Sequence, residues 1–271
     1  MRIRVRGDGS PPFYLLIHGT ASSGRIWLKM LQSAEDGGGS QGQRQRLAQE
    51  DSILCGTFIM PDLPGMGESK PLPDPTFDGW VEYLGERLPL VIEQAGHRLS
   101  GPVHLVGHSL GAAVAMHLAP LEWVESVALV CPATAAFCRE LRLAHGQGSR
   151  LGSIRLRRVQ GSLAHDPLAL TREDAAMLRD DYEKASELLE SGLPWPDFDV
   201  DETRLLAGKR TLVVWGEKDR VVDPAYARAL ADILDAAGVH VERASIRDCG
   251  HLPMLEHPLE LSRVLGHFWN Q

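Results

Sequence analysis

Short, continuously apolar runs punctuate this chain, and they constrain its fold more than any other feature. The clearest are Phe13–Ile17, Thr57–Met60, Val103–Val106, Ser126–Val130, Thr211–Trp215 and Val239–Ile246. A strand with one face in water alternates apolar and polar residues, whereas a strand covered on both faces has no reason to alternate. Between the runs lie stretches with helical spacing, around Ile26–Ser33, Phe77–Ala95, Gly111–Pro120, Ala225–Ala237 and Leu259–Trp269. Strand and helix alternate along the chain, which predicts an α/β fold: a mostly parallel central sheet flanked by helices on both faces.

Two stretches break the rhythm. Glu35–Asp51 is rich in Gly, Gln and Arg and almost devoid of apolar residues, so it reads as a solvated link between a helix and a strand. Residues 133–205 are helical where they are periodic. Thr171 and Asp174 have the spacing of a helix cap, Leu178, Tyr182, Ala185 and Leu189 share one helical stripe, and Gly192 is placed as a stop. The expected organisation is a core built from residues 1–132 and 206–271, with 133–205 inserted as a helical cap or lid over one end of the sheet.

Composition excludes several classes of function. The 271 residues are 44% hydrophobic, enough for one sizeable core, and carry 28 Lys and Arg against 36 Asp and Glu. A formal charge of −8 is the wrong sign for coating nucleic-acid phosphates, so no nucleic-acid partner is expected. No apolar run approaches the ~18 residues that suggest a membrane span. Met1–Asp8 is charged and has no apolar signal core after it, so a cytoplasmic location is expected. Cys55, Cys131, Cys138 and Cys249 lack the spacing of a zinc site or a disulfide framework, and neither a metal nor a cofactor is expected.

The chemistry is announced by Gly107-His108-Ser109-Leu110-Gly111, which follows the strand His104–Val106 and opens the apolar helix Ala112–Leu118. A strand-to-helix turn this sharp needs small neighbours and lifts the serine hydroxyl above the sheet, at a helix N-terminus that favours a developing anion. A serine hydroxyl is a weak nucleophile at neutral pH and needs a base, which in turn needs an orienting acid. His251, in the turn Asp248–Pro253 between a strand and the last helix, is the candidate base. Asp219, after the buried strand Thr211–Trp215, is the candidate acid, at the carboxyl edge where α/β sheets place their sites.

Taken together, His18-Gly19-Thr20, Asp62–Ser69 (D-x-x-G-x-G-x-S), Gly107–Gly111, Gly216–Asp219, and Gly250-His251 with Glu256-His257-Pro258 resemble the α/β-hydrolase fold superfamily, in the serine hydrolase branch with an H-G-x oxyanion motif. The resemblance covers nearly the whole chain outside the cap and has the order Ser…Asp…His. It implies Ser109 as nucleophile, His251 as general acid/base and Asp219 as its orienting carboxylate. It also implies an oxyanion hole made by the backbone N–H groups of Leu110 and of Thr20 or Ala21. His18 and His108 are expected to hold structure rather than react, and the Asp62–Ser69 loop to be structural. Only Met1–Gly9 precedes the first buried strand, so the family's edge hairpin is expected to be reduced to a single strand. No acid follows Val130-Cys131-Pro132, where some relatives carry theirs.

The expected activity is that of a carboxylesterase- or thioesterase-like serine hydrolase, acting on an ester, thioester or related acyl bond through an acyl-enzyme. A lyase, acyltransferase or cofactor-free synthase on the same scaffold is the alternative, as is an accessory or binding protein that retains the triad. The substrate is expected to be a small acyl compound held in a pocket of the cap, with Leu141, Leu156, Val159, Leu163, Met177, Leu178 and Tyr182 as lining candidates. Basic residues dominate Arg139–Arg158 and acids dominate Asp166–Glu202. Such runs are usually solvated faces, and the sharper reading is a docking patch for an anionic substrate or an acyl-carrier partner. Nothing in the sequence sets the oligomeric state.

Overall fold

The computed structural model describes residues 1–37, 54, 56–94, 101, 103–145, 162–196 and 199–270. Seven strands form one sheet: β1 (Ile3–Arg6), β2 (Phe13–Ile17), β3 (Thr57–Pro61), β4 (Val103–His108), β5 (Val124–Val130), β6 (Arg210–Gly216) and β7 (Val241–Ile246). Their spatial order is β1-β3-β2-β4-β5-β6-β7, and every pairing is parallel except β1 with β3. Among the described residues the expected edge hairpin is indeed one antiparallel strand.

Helices cover both faces. Phe13, Leu15 and Ile17 of β2 point into one core with Trp80, Leu84 and Leu88 of α2 (Phe77–Gln94), the buried face of α3 (Leu110–Leu118) and Leu230 and Leu234 of α8 (Pro224–Ala236). Tyr14 and Leu16 point the other way, into a core with Met30 and Leu31 of α1 (Leu28–Gly37) and Leu261, Leu265 and Phe268 of α10 (Pro258–Trp269). The period-2 geometry of a strand thus feeds two apolar cores from one continuously apolar segment. The segment between β5 and β6, expected as the insertion, holds α4 (Ala135–His145), α5 (Arg172–Lys184), α6 (Ser186–Ser191) and α7 (Glu202–Leu205), and the short α9 (Pro253–Glu256) follows β7.

Three expectations shift. Glu35–Gly37 is the last turn of α1 rather than link, and Glu35 pairs with Arg6 of β1 at 3.2 Å. The rest of that link, from 38 to 53, lies outside the described residues. The strand expected from Val239 starts at Val241, because the chain leaves α8 through Gly238 at φ 79° and the Val239 N–H still bonds Leu234 O. The helix capped by Thr171 and Asp174 forms, with both reciprocal bonds of a capping box, but it breaks at Ala185 and resumes as α6, which ends at Gly192.

Most acids of the stretch from Asp166 to Glu202 are exposed, but three of them, Asp174, Asp180 and Asp181, turn toward the segment after β2. Asp181, fully buried on α5, accepts from Ser23 Oγ at 2.9 Å and from Arg25 at 2.5 Å, and Arg25 also reaches Asp180. Lys29 on α1 pairs with Asp174 at 2.7 Å. These bonds fasten α5 to the segment that leaves β2, so the acid-rich stretch is partly an internal lock. Arg25→Ala leaves the buried Asp181 carboxylate without its cation, with Ser23 Oγ still donating to it. The expected cost is about 3 kcal/mol, read as a lower urea midpoint at unchanged m-value.

Candidate active site

The elbow forms as its sequence requires. Ser109 sits between β4 and α3 at φ 54° and ψ −119°, a conformation that side chains rarely adopt. Its N–H bonds Val130 O at 3.0 Å, and its carbonyl accepts from Ala112 and Ala133 at 3.0 and 3.1 Å. A Cβ on Gly107 would lie 2.4 Å from Gly111 O, and one on Gly111 2.4 Å from His18 O. Neither position admits a side chain, because the start of α3 is pressed against both β4 and the end of β2.

His251 and Asp219 meet. His251 Nδ1 lies 2.7 Å from Asp219 Oδ2, with both side chains buried. The other carboxylate oxygen accepts from the N–H groups of Val221 and Val222 at 2.8 and 3.0 Å. Burial alone would raise the Asp219 carboxyl. The charge and hydrogen bond of His251, with the two N–H groups, outweigh it and hold the carboxyl below the usual carboxylate value. An ionised Asp219 only accepts, so the neutral imidazole carries its proton on Nδ1 and leaves Nε2 as the acceptor nitrogen. Asp223, four residues on, points elsewhere: it caps α8 through Ala225 N at 2.8 Å.

The elbow and the His251 loop are joined through His108. Its Nε2 donates to His251 O at 2.7 Å, and the two imidazole centroids are 4.8 Å apart. Burial, then the His251 ring, push the His108 imidazole down to about 3. His104 is pushed down to about 4, by burial and then by Arg210. Both rings are neutral in the native state, while the unfolded chain takes up their protons below about pH 6.5. Their share of stability is therefore present above that value and lost as pH falls toward 4. His108→Gln cannot take up the proton, and its urea midpoint is expected to fall less than the parent's between pH 6.5 and 4.

The H-G-x loop lies beside the elbow. A Cβ on Gly19 would lie 2.9 Å from Ser109 Cβ, and Thr20 and Ala21 follow directly, Ala21 at φ 52°. Leu110 is the first residue of α3, where the N–H has no intrahelical partner. Both ring nitrogens of His18 are engaged by main chain: its Nδ1–H donates to Gly19 O at 2.8 Å and its Nε2 accepts from Leu63 N at 2.9 Å. Asp62 is likewise engaged, its Oδ1 accepting from Gly24 N at 2.8 Å and from Arg4, and its Oδ2 from Glu68 N at 2.8 Å.

Cys131, at the end of β5, faces the same pair. Its sulfur and the Asp219 and His251 ligand atoms lie within 4.8 Å of one another. Burial, with the Asp219 charge adding, raises this thiol well above its ordinary value and keeps it protonated. Of the predicted pocket residues, Leu163, Met177 and Leu178 pack on the core that holds Ile26, Trp27 and Leu252. Tyr182 packs on the core that holds Leu63, Met66 and Leu110, and Leu141 is half-buried. Leu156, Val159 and most of the basic run lie outside the described residues, and Arg139 pairs with Asp199 at 3.5 Å. No helix among the described residues is long and apolar enough to cross a membrane.

Sequence reasoning gave Glu256 no role. It is a buried carboxylate that accepts from Gly250 N at 3.0 and 3.1 Å, Leu252 N at 3.2 Å and His165 N at 2.6 Å. The signal in the sequence was its place in the Glu256-His257-Pro258 motif, five residues after His251.

An open, mostly parallel sheet with a strand-to-helix serine turn and a buried His–Asp pair at the carboxyl ends of its strands defines an α/β-hydrolase architecture. Residues 14–264 match the alpha/beta hydrolase family, and the chain belongs to it. It is 29% identical over 290 residues to a pimeloyl-[acyl-carrier protein] methyl ester esterase of Stenotrophomonas maltophilia (strain R551-3), covering 99% of this chain and 96% of that protein. It is 27% identical over 280 residues to lipase LipV of Mycobacterium tuberculosis, covering 98% and 96%. A thermophilic esterase from Thermogutta terrifontis shares the fold, with a TM-score of 0.66, 22% identity and 99% and 93% coverage.

Proposed function

We propose that this chain is a serine hydrolase that cleaves a small acyl ester through an acyl-enzyme. The observation that carries the reading is the 2.7 Å bond from His251 to an ionised Asp219, with the His251 carbonyl tied to His108, the residue before the strained Ser109. Nothing in a binding module calls for a buried carboxylate that fixes an imidazole tautomer beside a serine in a rarely populated conformation. His251 Nε2 takes the Ser109 proton as the oxygen attacks the carbonyl carbon. The N–H groups of Leu110 and of Thr20 or Ala21 receive the oxyanion. His251 then protonates the departing alcohol, and water releases the acid by the same two steps.

The insertion 133–205 serves as the cap, with Tyr182, Met177 and Leu178 as lining candidates. The acyl-carrier-linked ester in the name of the Stenotrophomonas relative motivates a carrier-bound methyl ester as one substrate to test. The experiment is labelling with a fluorophosphonate, together with turnover of p-nitrophenyl esters of graded length and of an acyl-carrier-linked methyl ester. Labelling at Ser109 and turnover of at least one ester are expected. A wild-type protein that is neither labelled nor active on any of them overturns the reading.

A further inference from the structure

We infer that residues 163–165 of the insertion, together with Glu256, form a clamp that sets the position of the proposed general base; the inference rests on the serine-hydrolase reading. The His251 loop is pinched from two sides. On one side stands β6: a Cβ on Gly216 would lie 2.1 Å from Gly250 O, and Lys218 N donates to Cys249 O at 2.9 Å. On the other side stands the insertion. His251 N donates to Leu163 O at 2.7 Å, and a Cβ on Gly250 would lie 2.5 Å from His165 N and 2.8 Å from Leu163 O.

Glu256 closes the pinch. One carboxylate takes N–H bonds from both halves: Gly250 and Leu252 of the His251 loop, and His165 of the insertion. A carboxylate only accepts, so it can hold several converging donors at once, each bond strengthened by its charge. The His251 main chain is thus located by the insertion as much as by the strand it follows, while Asp219 sets the ring. Leu163, expected as a pocket wall, contributes here through its carbonyl. The insertion is on this account part of what aligns the imidazole, and Glu256 is a positioning residue that acts through His251.

The test uses the full chain, a fluorophosphonate and p-nitrophenyl butyrate. Glu256→Gln keeps the shape but turns an NH₂ group toward backbone donors, which opens the clamp. With unchanged far-UV circular dichroism, it is expected to lose about 10²-fold in kcat per labelled site, because a small misplacement of a reacting group costs that much. KM is expected to stay within about twofold, since no substrate contact is removed. Glu256→Asp, which keeps the charge but is one methylene shorter, is expected to fall between Gln and the parent. A purely structural Glu256 would lower the unfolding temperature and leave kcat per labelled site within about threefold of the parent, which overturns the inference. Failure of both variants to fold, where Ser109→Ala folds, overturns it equally. A parent that takes no label and turns over no ester instead sinks the serine-hydrolase reading beneath it.

Discussion

Ser109→Ala is expected to fold like the parent and to lose about five to six orders of magnitude in kcat on any ester the parent turns over. The magnitude follows from the unit character of a nucleophile and its base: without the hydroxyl, the aligned imidazole has no proton to take. Folding survives because the backbone bonds of this turn, to Val130, Ala112 and Ala133, do not involve the side chain. Ser109→Gly separates chemistry from strain. It is expected to be equally inactive but more stable than Ser109→Ala by about 1 kcal/mol, since φ 54° costs a residue with a Cβ and not glycine. Near-parental turnover in purified Ser109→Ala, after ruling out contaminating esterase by labelling, overturns the assignment.

Asp219→Asn is expected to reduce kcat by about 10²–10⁴-fold with little change in KM. The carboxamide can present its NH₂ to His251 Nδ1, which then accepts; the proton moves to Nε2, the nitrogen that must receive the Ser109 proton. The Val221 and Val222 N–H groups keep the replaced side chain in place, so the effect is one of tautomer rather than collapse. Asp223→Asn is the control. Its side chain caps α8, and asparagine is an equally good cap, so activity should stay near that of the parent. A severe loss in Asp223→Asn with a mild one in Asp219→Asn would move the acid.

What the sequence revealed, and what it hid, follows from the range over which each signal acts. The strand Phe13–Ile17 was legible to the residue because both its faces are buried, which forbids polar residues anywhere along it. The edge strand β7 was not. It alternates, and the turn at Gly238 adds apolar Val239 to a run that the sheet does not use. The stripe from Leu178 to Leu189 is truly periodic, yet periodicity cannot see the break at Ala185 where α6 begins. The Ser109 turn and the His251–Asp219 pairing were legible because a sharp turn and the ends of buried strands tolerate few residue types. The Arg25–Asp181 bond was not, since its partners are 156 residues apart and each alone resembles any surface charge. Glu256 falls between these cases: the motif that holds it was visible, but its donors on the insertion were not.

The bond from His251 N to Leu163 O is made by main chain on both sides. Such a contact has no preference for the side chains at 163–165 but depends strictly on how many residues bring them there. A deletion or insertion of a single residue between Leu163 and His165 would move the carbonyl out of reach, whatever side chains stood there. In this segment chain length is therefore constrained in its own right, beside the packing of Leu163 and the burial of Ala164.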